Sequence, residues 1–163
     1  MTIVARPETP AGGQSGLSLT IASDPLAVRN ALETVRCALQ MDDVPDDTRS
    51  AAELVLAEVM NNIVEHAYRG GSGDMDLHLR AAPGGIRCEI TDSGAPIPGG
   101  LLPDPAPGQT YRPDDLPEGG FGWFLIRTLA QDLQYRREHG RNCLSFFLRT
   151  DNTNEAGGTV AGQ

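Results

Sequence analysis

The chain has 163 residues, which is enough for one domain with a hydrophobic core of its own. With 22 Asp and Glu residues against 13 Lys and Arg, its net charge is −9, which argues against direct nucleic acid binding because that needs clustered basic side chains. No apolar stretch approaches the ~20 residues of a membrane-spanning helix, and the N-terminal residues lack the apolar stretch of a secretory signal.

The first predicted elements are a strand and two helices. Apolar and polar residues alternate over 17–22, which predicts a strand. Asp24 followed by Pro25 is typical of a helix start, and apolar residues then recur every three or four positions. A second helix is predicted from Asp46 to just before Arg69, with one apolar stripe made by Ala52, Val55, Leu56, Val59, Met60, Ile63 and Ala67.

A hairpin and a long irregular segment follow these helices. Strands are predicted over 74–82 and 86–91, joined by Pro83-Gly84-Gly85. Residues 92–119 then contain many of the chain's prolines, and irregular segments of this length are commonly functional lids or disordered.

The last predicted elements are a helix over 120–132 and a second hairpin, with strands over 133–137 and 143–149. Antiparallel hairpins with grouped helices between them predict a two-layer α+β sandwich.

Composition divides the chain into a body and two tails. Residues 1–14 and 151–163 are rich in Gly, Ser, Thr and other small or polar residues, so we expect flexible tails. The folded domain is expected over 15–150, with a lid at about 95–119. The three cysteines are far apart and not in metal-ligand spacing, so we expect reduced thiols and a cytoplasmic protein.

Acidic and amide side chains share one face near the end of the second helix. Glu58 and Asn62 are four residues apart, and Asn61 and Glu65 lie close to them in helical angle. In a functional interpretation, Asn62 binds Mg²⁺ through its amide oxygen, and Glu58 polarises a nucleophile or orders a metal-bound water. The alternative is a solvated helix face.

Two further motifs contain glycine. Asp92 and Gly94 follow a predicted strand, where an Asx turn competes with adenine recognition by the carboxylate. Gly119, Gly120 and Gly122 open the third helix, where backbone N–H groups could bind phosphates or the glycines could form a flexible join.

In this order, the three motifs resemble those of the GHKL (histidine kinase-like) ATPase superfamily, and within it the anti-sigma factor serine kinases of the RsbW and SpoIIAB type. The resemblance rests on Ala57–Tyr68, Thr91–Pro96 and Gly119–Arg127, and it extends over about residues 15–150. It implies a Bergerat-type fold, in which helices cover one face of a mostly antiparallel mixed sheet.

The resemblance also implies roles for the site residues. Asn62 would hold Mg²⁺ against the phosphates of ATP, and Glu58 would be the catalytic base or water-orienting carboxylate. Asp92 and Gly94 would bind adenine. Phosphates would be bound by Gly119, Gly120 and Gly122. The family also tends to carry residues like His66 and Arg127, and for His66 we expect a packing role. Lid residues that could contact the γ-phosphate are Thr110, Tyr111 and Arg112.

The implied function is that of an ATP-dependent serine/threonine kinase that switches partners. It would phosphorylate a STAS-type anti-anti-sigma protein and otherwise sequester a sigma factor or another output regulator, most simply as a homodimer. The alternative is a non-catalytic module of the same fold that switches partners without transferring phosphate.

Overall fold

The computed structural model describes residues 4–6, 16–103 and 121–150, and within these ranges it contains six strands and three α-helices. The strands are β1 (Val4–Arg6), β2 (Gly16–Ala22), β3 (Asp74–Ala82), β4 (Gly85–Asp92), β5 (Gln131–Glu138) and β6 (Arg141–Arg149). The helices are α1 (Pro25–Met41), α2 (Asp46–Asn62) and α3 (Phe121–Leu129). A π-helical turn, Ile63–Ala67, continues α2, and a 3₁₀ turn spans Pro98–Gly100.

The strands form one sheet in the order β1-β2-β3-β4-β6-β5. We expected a mostly antiparallel mixed sheet, and every pairing between the described strands is antiparallel. The position of β6 explains why no parallel pair occurs among the described strands. Strands β4 and β5, which flank α3 in the chain, run in the same direction, but β6 lies between them and is antiparallel to both.

Local sequence signals explain where the helices begin. The Asp24 side chain caps α1 by accepting hydrogen bonds from the backbone N–H groups of Leu26 (2.9 Å) and Ala27 (3.0 Å), as the Asp-Pro pair predicts. Such a cap contributes about 1 kcal/mol. Helix α2 has no side-chain cap, but Asp46 and Asp47 lie in its first turn, where the helix dipole favours negative charge.

The core lies between the helices and one face of the sheet. Strand residues on that face are buried in alternation, for example Met75, Leu77 and Leu79 on β3. The apolar stripes of α1 and α2 pack against them, and Ile126 brings α3 into the same cluster. The opposite face of the sheet carries polar and charged side chains. This arrangement confirms the α+β two-layer architecture.

The structure differs from the predicted element boundaries mainly in the last helix and the last hairpin. Helix α3 is shorter than expected, and β5 and β6 are longer. Their hairpin turns at His139-Gly140, where both residues have positive φ values of 50° and 79°. Within the segment expected to be an N-terminal tail, β1 pairs with β2. The C-terminal tail lies outside the described residues, as does the lid beyond residue 103. Among the helices that are described, none combines the length and apolarity needed to cross a membrane.

Candidate nucleotide-binding site

Glu58 lies where α2 meets the start of α3. Its side chain is half-buried, and its carboxylate is so close to Gly122 that a Cβ atom at residue 122 would overlap it. Any larger residue at position 122 would therefore have to displace the Glu58 carboxylate. The helix carboxylate and the glycine near the start of α3 are thus in close contact in the structure.

Asn62 has a buried polar atom without a partner. Its amide nitrogen, Nδ2, is buried and makes no hydrogen bond to any described residue. A buried amide left unsatisfied costs about 1–3 kcal/mol, so native structures usually provide a partner. Because rotation of the amide exchanges its donor and acceptor ends, this position fits either a phosphate oxygen or a metal ion.

The described residues contain no cluster of three or more His, Cys, Asp or Glu side chains that could hold a metal ion. Magnesium usually keeps several waters and binds through one or two protein ligands together with substrate phosphates. Asn62, whose buried amide nitrogen has no partner among the described residues, fits the part of such a protein ligand once its amide is rotated.

The π-helical turn connects α2 to the Asp92–Gly94 motif. Its widened hydrogen bond runs from the Tyr68 N–H to the Ile63 carbonyl (3.0 Å), and the helix ends there. The Ala67 carbonyl then accepts a hydrogen bond from the Ala95 N–H at 2.8 Å. A Cβ atom at Gly94 would lie 2.7 Å from both the Cβ and the oxygen of Ala67, so only glycine fits this contact.

Tyr68 attaches the same segment to the sheet. Its hydroxyl donates to the Asp74 carbonyl at 2.7 Å and accepts from the Ser93 N–H at 3.1 Å. The end of α2 and the turn after β4 are therefore held together by backbone and side-chain bonds.

Asp92 is buried at the end of β4, with 4% of its surface exposed. Its Oδ1 atom accepts hydrogen bonds from the Gly94 N–H and from Asn142 Nδ2, both at 2.8 Å. The first of these is the Asx turn that the sequence offered as an alternative to ligand binding. Its Oδ2 atom makes no hydrogen bond to any described residue. Asp92 therefore forms the Asx turn through Oδ1, while Oδ2 remains an available acceptor.

Five of the predicted site residues lie along the end of α2 and its π-helical continuation. Glu58 contacts Gly122, and Asn62 lies one turn after Glu58. Gly94, which bonds to Asp92, packs against Ala67. Gly119 and Gly120 lie outside the described residues, as do the lid candidates Thr110, Tyr111 and Arg112. His66 is exposed, which does not agree with the packing role expected for it. Arg127 donates to the backbone carbonyls of Pro103 (2.9 Å) and Leu102 (3.3 Å).

Sequence reasoning missed three residues that surround Asp92. The side-chain nitrogen of Asn142 on β6 donates to Asp92, and Tyr135 and Arg137 on β5 donate to Oδ1, the side-chain amide oxygen of Asn142. A signal for Asn142 exists in the strand pattern. It occupies the same face as Leu144, Phe146 and Leu148, where a polar residue needs a specific partner.

The class of protein follows from a family comparison. Residues 21–148 match the model of the histidine kinase-like ATPase domain, and the chain belongs to that family.

Individual relatives make the likeness more specific. The chain is 27% identical over 111 residues to proteins named serine-protein kinase RsbW from Bacillus cereus (strain AH820), Bacillus anthracis (strain CDC 684 / NRRL 3495) and Bacillus thuringiensis (strain Al Hakam). Each match covers 67% of this chain and 66% of the relative's length.

Proposed function

We propose that this protein binds Mg²⁺ and ATP at the end of α2 and acts as a serine/threonine-protein kinase of the anti-sigma type. The observation that carries the proposal is the buried Asn62 Nδ2 atom, which has no partner among the described residues and lies one helical turn after Glu58. A phosphate–metal group placed there would satisfy that amide.

Asp92 would recognise the adenine base. Its Oδ2 atom, which has no partner among the described residues, is a hydrogen-bond acceptor, and the exocyclic amino group of adenine is a donor. Gly94 would let the base approach the backbone of the turn. Gly119, Gly120 and Gly122 would donate backbone N–H groups to the phosphates at the start of α3.

Phosphoryl transfer depends mainly on positioning and charge neutralisation. When bound, Mg²⁺ would neutralise charge on the phosphates, and Asn62 would hold it through the amide oxygen. Glu58 would orient the attacking serine or threonine hydroxyl and accept its proton. As the new O–P bond forms, the bond between the γ-phosphorus and the leaving oxygen of ADP breaks.

The acceptor would be a STAS-type anti-anti-sigma protein, and the protein would otherwise sequester a sigma factor or another output regulator in the cytoplasm. The names of the relatives support a serine-protein kinase. A homodimer is the simplest assembly for such a partner switch, and the acidic chain would suit a partner with basic patches.

The test is transfer of γ-³²P from ATP to a cognate STAS-domain protein, with Glu58→Gln as the variant. We expect Glu58→Gln to bind Mg-ATP like the wild type and to lose transfer by a factor of about 10²–10⁴, as expected for a lost general base. Glu65→Gln is the matched control, because Glu65 is exposed about two turns further along, in the π-helical turn.

Undiminished transfer by Glu58→Gln would remove Glu58 from its catalytic role. Binding of Mg-ATP without transfer by the wild type would favour the non-catalytic partner-switching module.

A further inference from the structure

A hydrogen-bond network connects Asp92 to side chains of β6 and β5, and the donor and the acceptor of each bond can be assigned. Oδ1, the side-chain amide oxygen of Asn142, accepts from the Tyr135 hydroxyl at 2.8 Å and from the Arg137 guanidinium. Arginine can only donate, so it fixes which end of the Asn142 amide faces β5. The Asn142 nitrogen must therefore point away, and it donates to Asp92 Oδ1 (2.8 Å) and to the Ala95 carbonyl (3.1 Å).

The hydroxyl of Tyr135 is equally constrained. It accepts a hydrogen bond from the Ile97 N–H at 3.1 Å, so its proton is available for Asn142. Arg137 also donates to the Gly94 carbonyl at 3.0 Å. Two side chains of the edge strand β5 therefore hold both the Asn142 amide and the backbone of residues 94–97.

As a consequence, the two carboxylate oxygens of Asp92 have different hydrogen-bonding roles. Oδ1 already accepts two N–H groups, while Oδ2 has no partner among the described residues. A purine that meets Oδ2 must bring a donor. A 6-amino group provides one, whereas the 6-oxo group of guanine or hypoxanthine would place two acceptors against each other.

We propose that Tyr135 and Arg137 are positioning residues that set the preference for 6-amino over 6-oxo purine nucleotides, acting through Asn142 on the Asp92 carboxylate. This inference rests on the proposed function, because it assigns the base selectivity of the same site. Neither residue needs to touch the nucleotide. Without them the Asn142 amide loses the two donors that hold its oxygen end, so its nitrogen is held less firmly against Asp92 Oδ1 and the Asp92 carboxylate is less firmly oriented.

The experiment compares dissociation constants of ATP and inosine triphosphate, each with Mg²⁺, for the wild type and three variants by calorimetry. Tyr135→Phe removes only the hydroxyl, and Arg137→Met removes the guanidinium while keeping an apolar stem. Arg136→Met is the matched control, because Arg136 is adjacent on the same strand but pairs with Glu89 (3.5 Å) on the opposite face of the sheet.

We expect the wild type to prefer ATP by at least about tenfold, and Tyr135→Phe and Arg137→Met each to reduce that preference about three- to tenfold, the usual worth of one such hydrogen bond. Arg136→Met should keep it. A purely structural role would weaken both nucleotides equally and leave their ratio unchanged. Should Arg137→Met fail to fold, the more conservative Tyr135→Phe decides the matter.

An unchanged ratio in Tyr135→Phe and Arg137→Met, or a wild type that binds ATP and inosine triphosphate equally, would overturn this inference and leave the proposed ATP site intact. Failure of the wild type to bind either nucleotide would overturn the proposed function and this inference together.

Discussion

Buried polar side chains in the described part of the chain are few, and most lie at one place. The buried polar residues among the described ones are Thr48, Asp92 and Asn142. Asp92 and Asn142 form a hydrogen bond with each other. Thr48 instead donates to the Arg149 carbonyl at 3.3 Å. An apolar pair would fill the space of Asp92 and Asn142 without the cost of desolvation, so their presence in the core fits a site that needs a fixed acceptor.

Two cysteines also have unusual surroundings. Burial raises the pKa of the Cys88 thiol well above its ordinary value. The pKa of Cys143 is raised as well, first by burial and then by the nearby Glu89 carboxylate. Cys37 is exposed on α1. The buried thiols therefore stay protonated in the folded protein at pH values where an unfolded chain ionises them.

This difference predicts a loss of stability at alkaline pH. Below about pH 8.5 the Cys88 thiol is protonated in both states and has no effect on the pH dependence. Above that value the unfolded chain releases a proton that the folded protein keeps, so the free energy of unfolding falls by up to about 1.4 kcal/mol per pH unit for each such thiol. Urea unfolding at pH 7.5 and pH 9.5 measures the change.

Cys88→Ala should show a smaller fall between these two pH values than the wild type, whatever its stability at pH 7.5. Cys37→Ala, the exposed control, should match the wild type. An identical pH dependence in Cys88→Ala would contradict the assignment.

At the scale of elements, much could be predicted because the signals are local. Asp24-Pro25 marks the start of α1, and glycines mark the turns of both hairpins. The π-helical turn could not be predicted, because no residue preference distinguishes its hydrogen bond from that of an α-helix. Yet this turn presents the Ala67 carbonyl to Ala95 and so positions the Asp92–Gly94 motif.

The contact between Gly94 and the π-helical turn can be tested by adding one methyl group. In Gly94→Ala the new Cβ atom would meet the Cβ and backbone of Ala67 at 2.7–2.8 Å, and backbone cannot move aside cheaply. We expect a loss of about 1–3 kcal/mol in the free energy of unfolding, as for other overpacked sites, and weaker Mg-ATP binding. Urea unfolding and calorimetry measure the two effects.

Gly70→Ala is the control for this experiment. Its Cβ atom meets nothing within 4 Å, but its φ of 77° should cost about 1 kcal/mol of backbone strain. It should lose stability and keep its ATP affinity. Wild-type stability and affinity in Gly94→Ala would show that the contact with Ala67 does not hold the motif.

At the scale of the whole molecule, the sheet separates a core face from an open face. The open face carries exposed ion pairs such as Arg141–Asp76 (2.7 Å), which contribute little to stability. The helices and the candidate nucleotide site lie on the other side. The insertion of β6 between β4 and β5 could not be predicted, because strand order depends on pairings between distant residues.

Prediction of the candidate site from the sequence is limited in the same way as prediction of the strand order. Glu58, Asn62, Asp92, Gly94 and Gly122 could be proposed from the sequence because they stand in recognisable short motifs. Asn142, Tyr135 and Arg137 could not, because they reach Asp92 only through the pairing of β4, β6 and β5. Motifs that are continuous in the chain are visible in the sequence, and networks that cross strands require the fold.

The measurement that tests the central claim most directly is thermal unfolding with ATP, with and without Mg²⁺, for the wild type and Asp92→Asn. A ligand at 100 times its dissociation constant stabilises the folded state by about 2.7 kcal/mol, which raises the midpoint by several degrees. We predict a rise that requires Mg²⁺ in the wild type and is lost in Asp92→Asn. No rise at millimolar ATP, or an equal rise in Asp92→Asn, would contradict the nucleotide site.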